Sequence, residues 1–144
     1  MPILDYDDEF TTAGGQSMDG AAAIGTRVKN AGAAKDWGAG EPLTPYVRVL
    51  GADSDVVTSM QFDFIGADNA ALTLNPVVLS TKTVLKAALL TNSLHRMPRL
   101  LGGSNKQYLG VKFTPAGGNQ ANGAKFTAGL IPESARPEDG VSYL

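Results

Sequence analysis

The chain of 144 residues has the size of one domain, with no cysteine and a single histidine. Disulfide frameworks, thiolate metal sites, thiol nucleophiles and metal clusters built on two histidines are therefore excluded. Twelve basic and fourteen acidic residues leave a formal net charge of −2, with the basic ones scattered, so no nucleic-acid partner is expected.

Seventeen glycines and eight prolines favour a loop-rich, all-β chain. Residues 1–40 show no sustained periodicity. Asp5, Asp7, Asp8 and Glu9 stand where a signal peptide would carry lysine or arginine, so secretion by that route is not expected. No run of 18 apolar residues occurs, so no membrane span is expected. The acidic group lacks the EF-hand spacing of a calcium loop and reads as a solvated arm. Alanines at residues 18–24 allow a helix, but no stripe of large apolar residues supports it. The stretch is expected to be extended, followed by a short strand at Thr26-Arg27-Val28-Lys29. Trp37, the single tryptophan, is expected to be a partly buried anchor, the alternative being a sugar-stacking platform.

Tyr46-Val47-Arg48-Val49-Leu50, entered through prolines, predicts a strand with edge character at its start. Met60-Gln61-Phe62-Asp63-Phe64 alternates strictly, which puts Met60, Phe62 and Phe64 on a buried face and Gln61 and Asp63 on a wetter one. Gly66-Ala67-Asp68-Asn69 predicts a turn. Leu72-Thr73-Leu74 and Val77-Val78-Leu79 are short apolar runs separated by Asn75-Pro76. Residues 80–90 fit two descriptions: a helix through Val84, Leu85, Ala88 and Leu89, or a short strand followed by one helical turn. Leu109, Val111 and Phe113 alternate in one run, and Ala124, Phe126, Ala128 and Leu130 in another. With the turn-rich loop 115–123 between them, they predict an antiparallel hairpin. The polar, proline-punctuated tail ends in Val141-Ser142-Tyr143-Leu144, which either docks on another subunit or frays.

No catalytic constellation emerges. The sequence has neither a G-x-S-x-G elbow nor a phosphate-binding G-x-x-x-x-G-K-[ST] loop, and Gly38-Ala39-Gly40 is a turn. His95, beside Arg96, reads as a surface or loop residue. No enzyme activity, catalytic residue, metal or cofactor is expected.

Three segments carry a family resemblance. Gly38-Ala39-Gly40-Glu41-Pro42-Leu43 leading into Tyr46-Val47-Arg48-Val49 resembles the G-x-G-x-P-L strand entry of the Bbp16-like capsid cement (decoration) proteins of tailed bacteriophages. Gln107-Tyr108-Leu109 is similar to that family's R-Y-L strand, with Gln107 where arginine is common. Thr127-Ala128-Gly129 is similar to its closing T-A-G strand, and Ile3-Leu4-Asp5 and Gln16 fit its N-terminal arm. Residues 136–144 match no part of the pattern. The resemblance implies an all-β, jelly-roll-like antiparallel β-sandwich over residues 26–131. The chain pattern itself sets an N-terminal arm (1–25) and a C-terminal tail (132–144) on either side of it. The resemblance also implies a homodimer on the outer surface of an icosahedral virion, assembled in the bacterial host cytoplasm. There it would bridge and stabilise subunits of the major capsid protein. The apolar residues of the terminal segments, Ile3, Leu4, Tyr6, Phe10, Tyr143 and Leu144, are the expected capsid contacts. A carbohydrate-binding or host-attachment module on the virion is the alternative.

Overall fold

The computed structural model describes residues 10–11, 16–17, 23–37, 43–51, 58–100, 105–117 and 125–132. Among these residues nine strands run β1 (Gln16–Ser17), β2 (Ala23–Ile24), β3 (Lys29–Asp36), β4 (Leu43–Gly51), β5 (Ser59–Ala67), β6 (Val77–Leu85), β7 (Leu94–Arg96), β8 (Asn105–Ala116) and β9 (Lys125–Pro132). One 3-10 turn at Lys86–Ala88 follows β6. Residues 80–90 thus resolve as a strand with one helical turn after it. The β-branched Thr81, Thr83 and Val84 suit a pleated surface.

The first sheet has the order β1-β9-β4-β7, and the second β2-β8-β5-β6, with β3 also on β8. Every pairing is antiparallel. β2 and β3 lie along different lengths of β8, so they act as one interrupted strand, and the two four-stranded layers form a jelly-roll sandwich.

Alternation builds the core. Met60, Phe62 and Phe64 of β5 and Leu109, Val111 and Phe113 of β8 face Val47 and Val49 of β4 and Phe126, Ala128 and Leu130 of β9. Phe62 meets Phe113 and Phe126 edge-on at 5.7 and 5.6 Å, while Phe113 and Phe126 stack at 5.6 Å. These three rings join the sheets at the centre of the sandwich, in the geometries aromatic quadrupoles favour.

Three sequence expectations change. β8 and β9 are not a hairpin, since they lie in different sheets and meet only through the core. Alternation marks a buried face but is the same for a neighbour in the sheet and a partner across it. β4 keeps the edge character expected at its start, where β9 alone pairs with it. Pro45 is tolerated there because it stands past the end of β7 and only accepts, from the Met97 N–H at 2.9 Å. The strand expected at residues 26–29 begins at Lys29 instead. Finally, the segment expected to be an arm supplies β1, β2 and the fully buried Phe10, so the sandwich begins before residue 26. Leu72-Thr73-Leu74 forms a turn, in which the Asn69 carboxamide oxygen accepts from the N–H groups of Thr73 and Leu74.

Candidate interaction surface

The chemistry-bearing side chains are tied into the scaffold. Ser93 Oγ, just before β7, lies 2.9 Å from Nε2 of His95 on that strand. Partial burial and the nearby Lys82 ammonium lower the His95 pKa from its ordinary value, partly offset by a hydrogen bond to the Ala88 backbone. Ser93 and His95 thus pin the turn after β6 to β7. On the outer face of the second sheet, Thr81 Oγ1 and Gln61 Nε2 both donate to the buried Asp63 carboxylate. Asp68 accepts from the Asn75 carboxamide and pairs with Lys106 at 3.4 Å, and both partners hold its carboxyl below the usual range. Among the described residues no group of three or more His, Asp or Glu converges as metal ligands. Nor is any helix among them long and apolar enough to cross a membrane.

Trp37 is an anchor. It is 5% exposed, its indole N–H donates to the Lys106 carbonyl at 2.8 Å, and Lys35 Nζ lies 4.8 Å from its ring centroid. Of the six expected capsid contacts, Phe10 is corrected to a core residue. Its ring meets Phe64 edge-on at 5.3 Å, and its N–H donates to the Ala128 carbonyl at 2.8 Å. An aromatic flanked by polar residues reads as an arm contact until tertiary packing claims it. Ile3, Leu4, Tyr6, Tyr143 and Leu144 lie outside the described residues.

The two lateral openings of the sandwich are closed differently. On the β1/β2 side, the Gln16 carboxamide donates to the Ile24 carbonyl at 3.0 Å and accepts from the Thr26 N–H at 2.8 Å. On the β6/β7 side, Lys82 Nζ donates to the Arg96 carbonyl at 2.9 Å and Ser80 Oγ to the Pro98 carbonyl at 2.6 Å. These bonds hold segment 96–100 under the edge, with Met97 and Leu100 buried.

Beyond that closure β6 remains the outer strand of its sheet, nine residues long. An open groove of about 200 Å³ follows it, lined by Val78, Leu79, Ser80, Thr81, Pro98 and Arg99 and almost wholly apolar. Val77, Val78 and Leu85 of the strand, and Leu74 and Leu90 beside it, are 37–68% exposed. Sequence reading missed this surface, although one signal was present. Val77-Val78 and Leu89-Leu90 place apolar residues at successive positions, where a one-faced element leaves one of each pair outside.

No protein-family model matches the chain, and no curated protein matches it.

Proposed function

We propose that this protein is a non-enzymatic capsid cement protein that fastens to the outer surface of an icosahedral bacteriophage shell and bridges major capsid protein subunits. The observation that carries the reading is the apolar surface formed by Leu74, Val77, Val78, Leu85 and Leu90 along a strand that, among the described residues, has no partner on its outer side. Native sheet edges are usually kept short, charged or covered. A long edge flanked by exposed aliphatic residues fits a protein whose working state is an assembly. The strand motifs at Gly38-Ala39-Gly40-Glu41-Pro42-Leu43, Gln107-Tyr108-Leu109 and Thr127-Ala128-Gly129 specify the kind of assembly by their resemblance to tailed-phage cement proteins. A protein that binds the assembled shell but not its free subunits stabilises the shell by mass action, and many modest contacts add through avidity. A homodimer would present the surface twice. The sugar-binding alternative has lost its candidate platform, because Trp37 is buried.

Co-sedimentation of the purified protein with mature capsids lacking it tests the proposal. Saturable binding is expected, together with its loss in a Leu85→Glu, Leu90→Glu variant that keeps its circular dichroism spectrum. Absence of binding by the intact, folded protein would sink the capsid role.

A further inference from the structure

We infer that the β6 edge takes up the acidic N-terminal segment of a second copy of this chain, residues 3–9, as an added strand. Hydrogen-bond phase identifies the receptor. The Lys86 N–H donates to the Thr58 carbonyl at 3.0 Å, one step beyond the Ser59–Leu85 register pair. Antiparallel pairs alternate between bonded and non-bonded, so Val84, Lys82 and Ser80 bond to β5 while Thr81, Thr83 and Leu85 turn their N–H and C=O groups outward. All three are exposed. The other edges offer less: β1 and β2 have two residues each, β7 has three, and β3 breaks register between Asn30 and Lys35. An outward row of alternating donors and acceptors is satisfied by an extended backbone.

Charge decides which backbone. A second β6 is disfavoured. Antiparallel pairing centred on Thr83 would set Lys82 opposite Val84 and make the two Lys82 residues diagonal neighbours, roughly 7–8 Å apart at the Cα atoms. An inward-pointing lysine on an edge strand is a known guard against self-pairing. The rest of the chain supplies the opposite sign. The described residues hold eleven Lys and Arg against three Asp and Glu, whereas the remaining segments hold one against eleven. Residues 1–9 contain four of those acids and no lysine or arginine.

Pattern then selects among the acidic segments. In Leu4-Asp5-Tyr6-Asp7 apolar and acidic residues alternate, so as a strand this segment shows Leu4 and Tyr6 on one face and Asp5 and Asp7 on the other. The first face can lie beside the exposed Leu85, and the second beside Lys82, whose side chain points to the opposite side of the sheet. No proline interrupts residues 3–9, whereas Pro137 and Gly140 punctuate the C-terminal tail. The segment must come from another copy. Phe10 is held between Ala128 and Arg27, on the β1/β2 side, about 19 Å from a strand added beyond β6 at the usual strand spacing. Asp7 can lie at most about 11 Å from Phe10 along the chain.

Sedimentation velocity on the full chain at several concentrations and salt strengths tests the contact without any capsid. Self-association that weakens with salt is expected. Arg99→Glu, an exposed change, and Asp5→Lys with Asp7→Lys should each weaken it roughly three- to tenfold. Thr83→Pro should abolish it, because the Thr83 N–H lies outside the internal ladder. Mixing the Arg99→Glu protein with the Asp5→Lys, Asp7→Lys protein should restore association, since the first retains a good arm and the second a good edge. A chain that stays monomeric at low salt, or one whose association ignores both Arg99→Glu and Thr83→Pro, would overturn the inference. A monomer that still binds shells would leave the capsid reading standing.

Discussion

At the scale of single residues, close packing explains what conformational preference cannot. Gly25 passes so near Phe10 that a Cβ would fall on the Phe10 carbonyl oxygen, with Val111 Cγ1 at 2.7 Å. At Gly110 a Cβ would meet side chains alone, the flexible end of Leu72 at 2.6 Å and Val28 Cγ2 at 3.3 Å. Both substitutions to alanine overpack, at a typical cost of about 1–3 kcal/mol, but the backbone obstacle at Gly25 cannot rotate aside. Gly25→Ala should therefore lower the melting temperature more than Gly110→Ala. Adding Leu72→Ala should recover part of the second loss and none of the first, as thermal denaturation of the four variants will show. Phe10→Ala should cost about 3–5 kcal/mol of stability, measured by denaturant unfolding, as expected for a core ring. His95 adds a pH dependence. Its folded pKa is lowered, so the unfolded chain binds the extra proton. The stability contribution is complete above the ordinary value near 6.5 and is lost as pH falls toward the folded value. As His95 is the only histidine and carboxylates titrate near 4, the decline between pH 6.5 and 5 should flatten in His95→Gln, by a few degrees in Tm at most.

At the scale of elements, the sequence specified faces better than neighbours. The alternation in Met60-Gln61-Phe62-Asp63-Phe64 located the central strand of the second sheet and its buried side. Even there Asp63 is buried, because Thr81 and Gln61 satisfy it. The same alternation in β8 and β9 gave both strands and misassigned their relation, since a core partner and a ladder partner demand the same pattern. Side closures were invisible for another reason. Gln16, Ser80 and Lys82 carry no periodic signal, and their hydrogen-bond partners are carbonyls that any residue supplies. The β6 edge escaped notice because its outward donors and acceptors belong to the backbone, and which strand stands last depends on the whole strand order. Lys82 is the element-scale test of the β6/β7 closure. Its ammonium donates to the Arg96 carbonyl, and hydrogen bonds to charged groups contribute about 1.5–3 kcal/mol when shielded. As Lys82 is only partly buried, Lys82→Met should cost less than that in denaturant unfolding. It should also speed hydrogen exchange at the Met97 amide, which is held by Pro45.

At the scale of the whole molecule, the net charge of −2 hides an uneven distribution of charge along the chain. Residues 1–9 carry four acids and no lysine or arginine, while the described residues carry eleven of the twelve lysines and arginines. Screening over roughly 10 Å at ordinary salt keeps such a separation from cancelling at a distance. The proposed pairing of residues 3–9 with the β6 edge of another copy brings unlike charges together, so salt should weaken it. The composition pointed only away from a nucleic-acid partner, because a sum over the chain discards position. Neutralising Asp5, Asp7, Asp8 and Glu9 as Asn, Asn, Asn and Gln removes four charges and takes the formal net charge from −2 to about +2 at pH 7. That variant should be retained on a cation exchanger at pH 7 and low salt and elute as salt rises, whereas the parent chain should pass through. If the basic side chains were internally compensated, both proteins would flow through together. The same variant should sediment as the smaller species at concentrations where the parent associates. Retention with unchanged association would show that the charge separation is present but that residues 3–9 do not use it.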